Sequence, residues 1–321
     1  MRKRKLATKL LAMTMVFTTA FSLTGCKNTK PAAEQITEIT EAFKSGDSEL
    51  FYASMEESKK FDSYFEAVQN KSTSGLGAVY VKLNEKAKDV TVQPDEKNDT
   101  FDIPVTVSSY DAYTVALTKM YEAAKEGPEA FADMPAWLTS ALDEAEMTTE
   151  SVEFDSRTDS STLKYEFGSN SDFFKKMTCG LYDFMNATMT TCTDGEITTC
   201  LLAKGDEVLF SADYYYTPLE ELEEYGFSED TVQDYIDEMI KEYEGYEGVL
   251  TDAQYDGKGI SQVIFVDYNT VSASTLVDLG FLSSSAADGI TLKGTIEGFE
   301  KDGMTCVTET FGITSEEEVE E

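Results

Sequence analysis

The chain has 321 residues, with 26 Lys and Arg against 61 Asp and Glu, a formal net charge of −35, and no histidine. Such an acidic excess excludes nucleic acid as a partner of the bulk surface, because binding phosphates needs Lys or Arg to displace counterions. The missing histidine excludes Ser/His/Asp and Cys/His catalytic sets and every His-containing metal site, while 41% hydrophobic and 12% aromatic residues suffice for packed cores, two of them at this length.

Arg2, Lys3, Arg4, Lys5 and Lys9 come before a largely apolar run, Leu10 to Leu23, that is too short to span a bilayer. This is the pattern of an export signal. The run ends at Leu23-Thr24-Gly25-Cys26, which resembles the lipobox of bacterial lipoproteins of the Gram-positive type. That resemblance implies cleavage between Gly25 and Cys26, diacylglycerol on the Cys26 thiol, and a mature chain anchored at the extracytoplasmic face of the cell membrane. Two acyl chains anchor stably where one holds only marginally. Residues 1-25 are then a signal peptide and 26-33 a tether. Five basic residues and no acidic ones leave with the signal, so the mature net charge is about −40. A solvated, self-repelling surface that keeps an exported protein soluble explains the excess; weak cation capture or contact with a basic partner is the sharper alternative.

From residue 34, Ile36, Ile39 and Phe43, then Leu50, Phe51 and Met55, recur at helical spacing around a break at Gly46-Asp47. Phe61, Phe65 and Val68 predict a third helix. Leu76 to Val81 reads as a strand by alternation, and β-branched residues return at Val90 to Val92 and Ile103 to Val107, where Pro104 suggests an edge or a bulge. Ser108 or Ser109 can cap a helix with Tyr110, Tyr113, Leu117 and Met120 on one face, and Trp137 to Leu142 makes another. Val152 and Phe154 with Leu163, Tyr165 and Phe167 predict a hairpin, and Asp172 to Met185 reads as helical. In order and length, residues 34-187 resemble the NTF2-like, cone-shaped domains with a curved sheet found in many Gram-positive lipoproteins, which implies an α+β fold that often encloses a pocket.

From Thr188 the pattern resets to three consecutive strands, Thr188 to Cys192, Ile197 to Leu202 and Val208 to Tyr216, with turns at Asp194-Gly195 and Gly205-Asp206. A two-residue turn at Asp194-Gly195 would set Cys192 against Ile197 and Cys200 against Met189. A short helix follows from Leu219, then a longer one capped by Ser228 with Val232, Tyr235, Ile236, Met239, Ile240 and Tyr243 on its apolar face. Strands at Val249 to Tyr255 and Ser261 to Tyr268 come next, then helices at Val271 to Leu279 and Thr295 to Asp302. Lys204-Gly205-Asp206-Glu207-Val208, Tyr216-Thr217-Pro218-Leu219, Tyr243 to Val249 and Val266-Asp267-Tyr268 make residues 188-308 resemble the YehR-like lipoprotein domain, a small α+β domain to which no activity is attached. Ser315 to Glu321 is a run of acids, so 309-321 reads as a solvated, disordered tail.

The expectation is therefore α+β, with two domains, each an antiparallel sheet packed against helices. Beside Cys26 the chain has Cys179, Cys192, Cys200 and Cys306, an even set that permits disulfides in an exported protein or serves as buried thiols. Their spacing does not suit zinc. No nucleophile elbow, Walker loop or dinucleotide fingerprint is present. Asp267-Tyr268-Asn269 begins like a calcium loop, but Val271 and Ser272 break it, so it reads as a strand end and a helix cap. Tyr214-Tyr215-Tyr216, with Tyr225, Tyr235, Tyr243 and Tyr246, is the densest aromatic cluster; sheet packing explains it, and ligand stacking is the alternative.

No catalytic, cofactor or metal residue is assigned. The favoured function is a non-enzymatic surface lipoprotein that binds a small ligand or an envelope protein. The alternatives are an envelope enzyme using Asp/Glu, Ser-Lys or thiol chemistry, or a scaffold of an envelope complex.

Overall fold

The computed structural model describes residues 31–95, 101–224, 226–228, 231–280 and 290–310. The expected signal peptide, Gly25, Cys26 and residues 311–321 of the expected tail lie outside them, whereas residues 309 and 310 of that tail belong to a strand and Ala32 and Ala33 of the expected tether to the first helix. Three helices open the fold: α1 Ala32–Ser45, α2 Ser48–Ser54 and α3 Lys59–Asn70. Ile36, Ile39 and Phe43 recur at helical spacing on α1 and are buried, and α1 ends at Gly46, which adopts φ +72° and donates to the carbonyls of Ala42 and Phe43. A Cβ at Gly46 would lie 2.7 Å from Val68 Cγ1, so the position requires glycine on two counts. Phe43 stacks on Tyr64 at 4.5 Å between centroids and meets Phe51, Phe61 and Phe65 edge-on or tilted.

Residues 76–81 are not a strand. They belong to α4, Gly75–Ala87, whose Leu76, Val79, Tyr80, Leu83 and Ala87 are buried at spacings of three and four. The alternation is local, and over the longer window the helical period wins. Strands β1 Thr91–Pro94 and β2 Asp102–Tyr110 follow. β2 is the central strand of its sheet, contrary to the edge expected from Pro104. The proline is tolerated because the β1 ladder stops beside it: Pro94 pairs with Val105, and the Pro104 carbonyl accepts from Asp95 N at 2.9 Å.

The helix expected from Ser108 starts later, because β2 keeps Ser108 to Tyr110 paired as far as Met147. Asp111 is the N-cap of α5 Ala112–Glu126, and the buried stripe is Ala112, Ala116, Met120 and Ala124 in place of the tyrosine face. Next come α6 Pro128–Ala132, α7 Met134–Glu144 and β3 Met147–Asp155. The order β1-β2-β3 makes a three-stranded antiparallel sheet. β3 forms no hairpin with residues 163–167. Tyr165 makes only isolated bridges to Met55 and Thr158, and with Phe167 it plugs the aromatic core. The stretch 172–185 divides into α8 Ser171–Met177 and a 3₁₀ turn, Leu181–Phe184, separated by Cys179 and Gly180 at φ +52° and +86°.

The second half is a six-stranded antiparallel sheet in the order β7-β8-β6-β5-β4-β9. Its strands are β4 Thr188–Thr193, β5 Ile197–Lys204, β6 Glu207–Pro218, β7 Val249–Tyr255, β8 Gly259–Asp267 and β9 Thr305–Thr310. The meander is present, but the β4–β5 loop is longer than two residues. Thr193 pairs with Thr198, because Asp194 Oδ1 accepts from the Glu196 and Ile197 amides, and Cys200 therefore faces Thr191 and not Met189. β9 was not expected from the sequence; it pairs with β4, where Cys192 stands opposite Cys306 and the two form a disulfide. Between β6 and β7 lie α9 Leu219–Glu224 and α10 Val232–Tyr243, the latter starting four residues after Ser228. Between β8 and β9 lie α11 Ala273–Asp278 and α12 Leu292–Lys301. The protein is α+β, with both sheets antiparallel and packed against helices.

One face of the large sheet carries Met189, Cys200, Leu202, Phe210, Ala212, Val263 and Phe265 into the same apolar cluster as Ile36, Phe43 and Trp137. The core is thus continuous across residues 187 and 188, with α5 to α7 in between. Phe210 stacks between Phe184 at 6.1 Å and Phe265 at 5.9 Å. The opposite face is covered by α9 and α10 around Ile236 and Ile260, and by α11 around Ile264 and Leu276.

Candidate functional site

Period-two alternation on β6 sends Phe210, Ala212 and Tyr214 toward the core and Ser211, Asp213 and Tyr215 to the other face. The register sets Asp213 opposite Thr199 on β5 and opposite Ile264 on β8. Thr199 Oγ1 donates to Asp213 Oδ1 at 2.6 Å, and the Ser211 hydroxyl also bonds the carboxylate. Ser211 Oγ in turn lies 3.1 Å from the Tyr268 hydroxyl.

Asp213 is the only charged side chain among the described residues that is buried, at 8% exposure. Burial pushes its pKa up to about 6, against the two hydroxyls, which favour the ionised form. It is therefore a carboxylate at neutral pH, held in a medium that penalises charge. Burial, with help from Asp213, likewise pushes the Tyr215 phenol up to about 12, so it is a neutral donor.

These residues line a cleft of about 700 Å³ whose far wall is α12, through Gly294, Thr295, Gly298 and Phe299. No side chain of α12 is buried. Gly294 and Gly298, four apart, fall on one face; a Cβ at Gly298 would meet nothing within 4 Å, whereas one at Gly294 would lie 2.8 Å from Thr291 Oγ1. The helix is fastened at both ends. Its start is held by Asp206, whose carbonyl accepts from Leu292 N and whose Oδ1 accepts from Lys293 N, both at 2.8 Å. Its end leads straight into β9, fastened by Cys192–Cys306. α12 is a strap across the cleft.

The tyrosine cluster divides between two clefts. Tyr215 lines the cleft under the strap and also borders a second cleft, of about 430 Å³, which it shares with Tyr214, Tyr216, Lys125 and Tyr255. Tyr235 and Tyr243 pack on the sheet, Tyr246 is exposed, and Tyr225 lies outside the described residues. A third groove, of about 1040 Å³, runs past Tyr113, Glu150, Lys176 and Asp183; Lys176 is paired with Glu150 there at 2.8 Å. Neither of these holds a buried charge.

The two free cysteines among the described residues, Cys179 and Cys200, are buried. Burial pushes Cys179 up to about 12 and Cys200 up to about 11, so both are protonated thiols at neutral pH. Asp267 is engaged locally, accepting from Asn269 N at 2.9 Å and Thr270 Oγ1 at 2.8 Å, and Ser272 caps α11, in keeping with a strand end and a helix cap. Among the described residues no group of three or more Cys, Asp and Glu is placed to hold a metal ion, and no helix is long and apolar enough to cross a membrane.

Sequence reasoning passed over Asp213, Thr199 and Ser211, and singled out Tyr268 only within the YehR-like segment and the calcium-loop comparison. The available signal was an aspartate inside an otherwise apolar strand, Val208-Leu-Phe-Ser-Ala-Asp213, a position from which acids are depleted.

No protein-family model matches the chain, and no curated protein matches it. Among solved structures the chain is similar to the NMR structure of the YehR protein of E. coli. The identity is 15% and the TM-score 0.31, over 38% of this chain and 90% of that one.

Proposed function

We propose that this chain is a lipid-anchored extracytoplasmic lipoprotein, held to the cell membrane through Cys26, that binds a small amine-bearing ligand in the cleft between α12 and the sheet. The observation that carries the binding reading is the buried carboxylate of Asp213 opening on that cleft. A carboxylate in a poorly solvated site gains most from a cation, which supplies the counter-charge that burial removed. Thr199 and Ser211 occupy only part of its acceptor capacity, and a carboxylate has room for further donors. Tyr215, Tyr268 and Phe299 supply apolar and aromatic surface for the body of such a ligand.

The anchor rests on the basic start, the apolar run and Leu23-Thr24-Gly25-Cys26. The first helix begins at Ala32, so the five residues after Cys26 would hold the fold within about 20 Å of the lipid. Two experiments test the proposal. Cys26→Ala should abolish labelling by radioactive palmitate in cells and release the protein from membranes; persistence of both contradicts the anchor. Spermidine, choline, lysine and arginine, screened by thermal shift on the mature protein at neutral pH, should include at least one stabiliser whose effect weakens at least about tenfold in Asp213→Asn. No stabiliser, or equal stabilisation of the variant, contradicts the binding reading.

A further inference from the structure

A cluster of opposite sign lies outside that cleft. Lys60 lies in the first turn of α3, Lys175 on α8 and Lys204 at the end of β5, and all three converge on the 3₁₀ turn that carries Tyr182 and Asp183. Lys60 Nζ sits 3.7 Å from the centroid of the Tyr182 ring, and Lys204 Nζ sits 5.2 Å from the same ring. The Lys60 and Lys204 head groups are adjacent. Asp183 serves both of the others, at 3.0 Å to Lys204 and 3.9 Å to Lys175. Among the described residues no carboxylate lies within ion-pair reach of Lys60. Lys175 also pairs with Asp172, at 3.7 Å, so in a chain with 61 acids these three ammonium groups have two carboxylates between them and the Lys60 head group has neither.

Ring contact and half-burial place Lys60 in a site that a compact anion would complete. Two adjacent ammonium groups repel, and the energy is recovered when an oxyanion bridges them. Each lysine acts as a point charge with three donors, which suits the oxygens of a phosphate group. The ring of Tyr182, only 8% exposed, forms a rigid floor.

We propose that Lys60 and Lys204, over the Tyr182 ring, with Lys175 beside Asp183, form a receptor site for a phosphate group carrying two charges, either free or as a monoester. This site is separate from the cleft over Asp213 and does not depend on what that cleft binds. The titration of Lys60 supplies the readout. Burial and then the adjacent Lys204 bring its pKa down to about 7, with Lys175 adding to the decrease and Asp183 opposing it; Glu56 also faces the Tyr182 ring. A bridging anion reverses that shift.

The test is competitive acetylation of the lipid-free mature chain at ~0.15 M salt, with the reactivity of each lysine followed by mass spectrometry against pH. Without phosphate, Lys60 should titrate near pH 7, well below the other lysines. With inorganic phosphate its midpoint should rise by about one pH unit, which corresponds to about tenfold tighter binding to the protonated site. Chloride at equal ionic strength should not move it. Lys60→Gln and Lys204→Gln should each weaken phosphate binding by about tenfold, and Asp183→Asn, which removes the competing carboxylate, should tighten it severalfold. Circular dichroism of each variant separates loss of the site from loss of the fold. Retention on vesicles containing phosphatidic acid, and not on phosphatidylcholine alone, would assign the monoester to a lipid headgroup; phosphate binding without retention would assign a soluble anion. An unmoved Lys60 midpoint with no vesicle retention, or unchanged phosphate affinity in Asp183→Asn together with both lysine variants, overturns the proposal.

Discussion

The two faces of the six-stranded sheet come from the same strands and do opposite things. On one face Phe210, Ala212 and Phe265 are packed into a core shared with helices from the first half of the chain. On the other, one residue along, Ser211, Asp213 and Tyr215 face a cleft under a helix that buries no side chain. Packing density accounts for stability on the first face. On the second, a buried carboxylate is left in an environment that opposes its charge, which is how proteins build recognition sites at some cost in stability. Mutations on the two faces should therefore separate stability from binding.

The largest loss of stability is expected on the packed face. Phe210→Ala removes a side chain that is 1% exposed and lies between two stacked rings. It should cost about 3 to 5 kcal/mol, measured by urea unfolding. Next is the strap. Cys306→Ser opens a link between residues 114 apart in sequence. It should cost about 2 to 5 kcal/mol and, by loosening β9 and with it α12, weaken the amine probes as well. A loss of stability with binding intact would show that the strap plays no part in the cleft.

Asp213→Asn is expected to act in the reverse sense. The folded pKa, about 6, lies above the ordinary carboxylate value, so the folded state holds its proton more tightly. Wild-type stability from this group is full below about pH 4 and is lost as pH rises through 6. The variant should lack that loss and be more stable at neutral pH by up to about 3 kcal/mol, read as the difference between the two pH profiles. The smallest effect on stability is expected from Gly298→Leu. A Cβ at Gly298 meets nothing within 4 Å, and the position lines the cleft. The change should raise stability by up to about 1 kcal/mol through helix propensity and yet abolish binding by filling the space. Binding that survives it would move the site elsewhere.

Much of this scaffold is readable from residue pattern alone. Ile36, Ile39 and Phe43 announce α1, and Gly46-Asp47 its end and the cap of α2, because apolar spacing and capping act within a few residues. The β4-β5-β6 meander is legible for the same reason. What was hidden depends on partners distant in sequence. Residues 76–81 alternate like a strand over six residues, and it takes the longer window to Ala87, buried against α3 and α7, to show the helical period. Tyr165 and Phe167 look like a strand because they are apolar, yet they are plugs held from Met55 and Phe51. β9 has no apolar alternation to reveal it, since its pairing partner lies more than a hundred residues away. The site was hidden more deeply. Asp213 draws its character from Thr199 on a neighbouring strand and from the strap above it, and neither is adjacent to it in sequence. The proposed export signal is of another kind, because a segment of that type would be read as a linear stretch and would need no fold.

Binding in the cleft would depend on one carboxyl group, that of Asp213. Labelling the aspartates of the mature protein with carbon-13 and following the Asp213 carboxyl by NMR against pH measures it directly. The ligand-free protein should give a midpoint near pH 6, falling by a unit or more when a stabilising amine is bound, because a cation favours the ionised form. A midpoint near the ordinary carboxylate value, or one that no cationic probe moves, would contradict the cleft over Asp213 as the binding site.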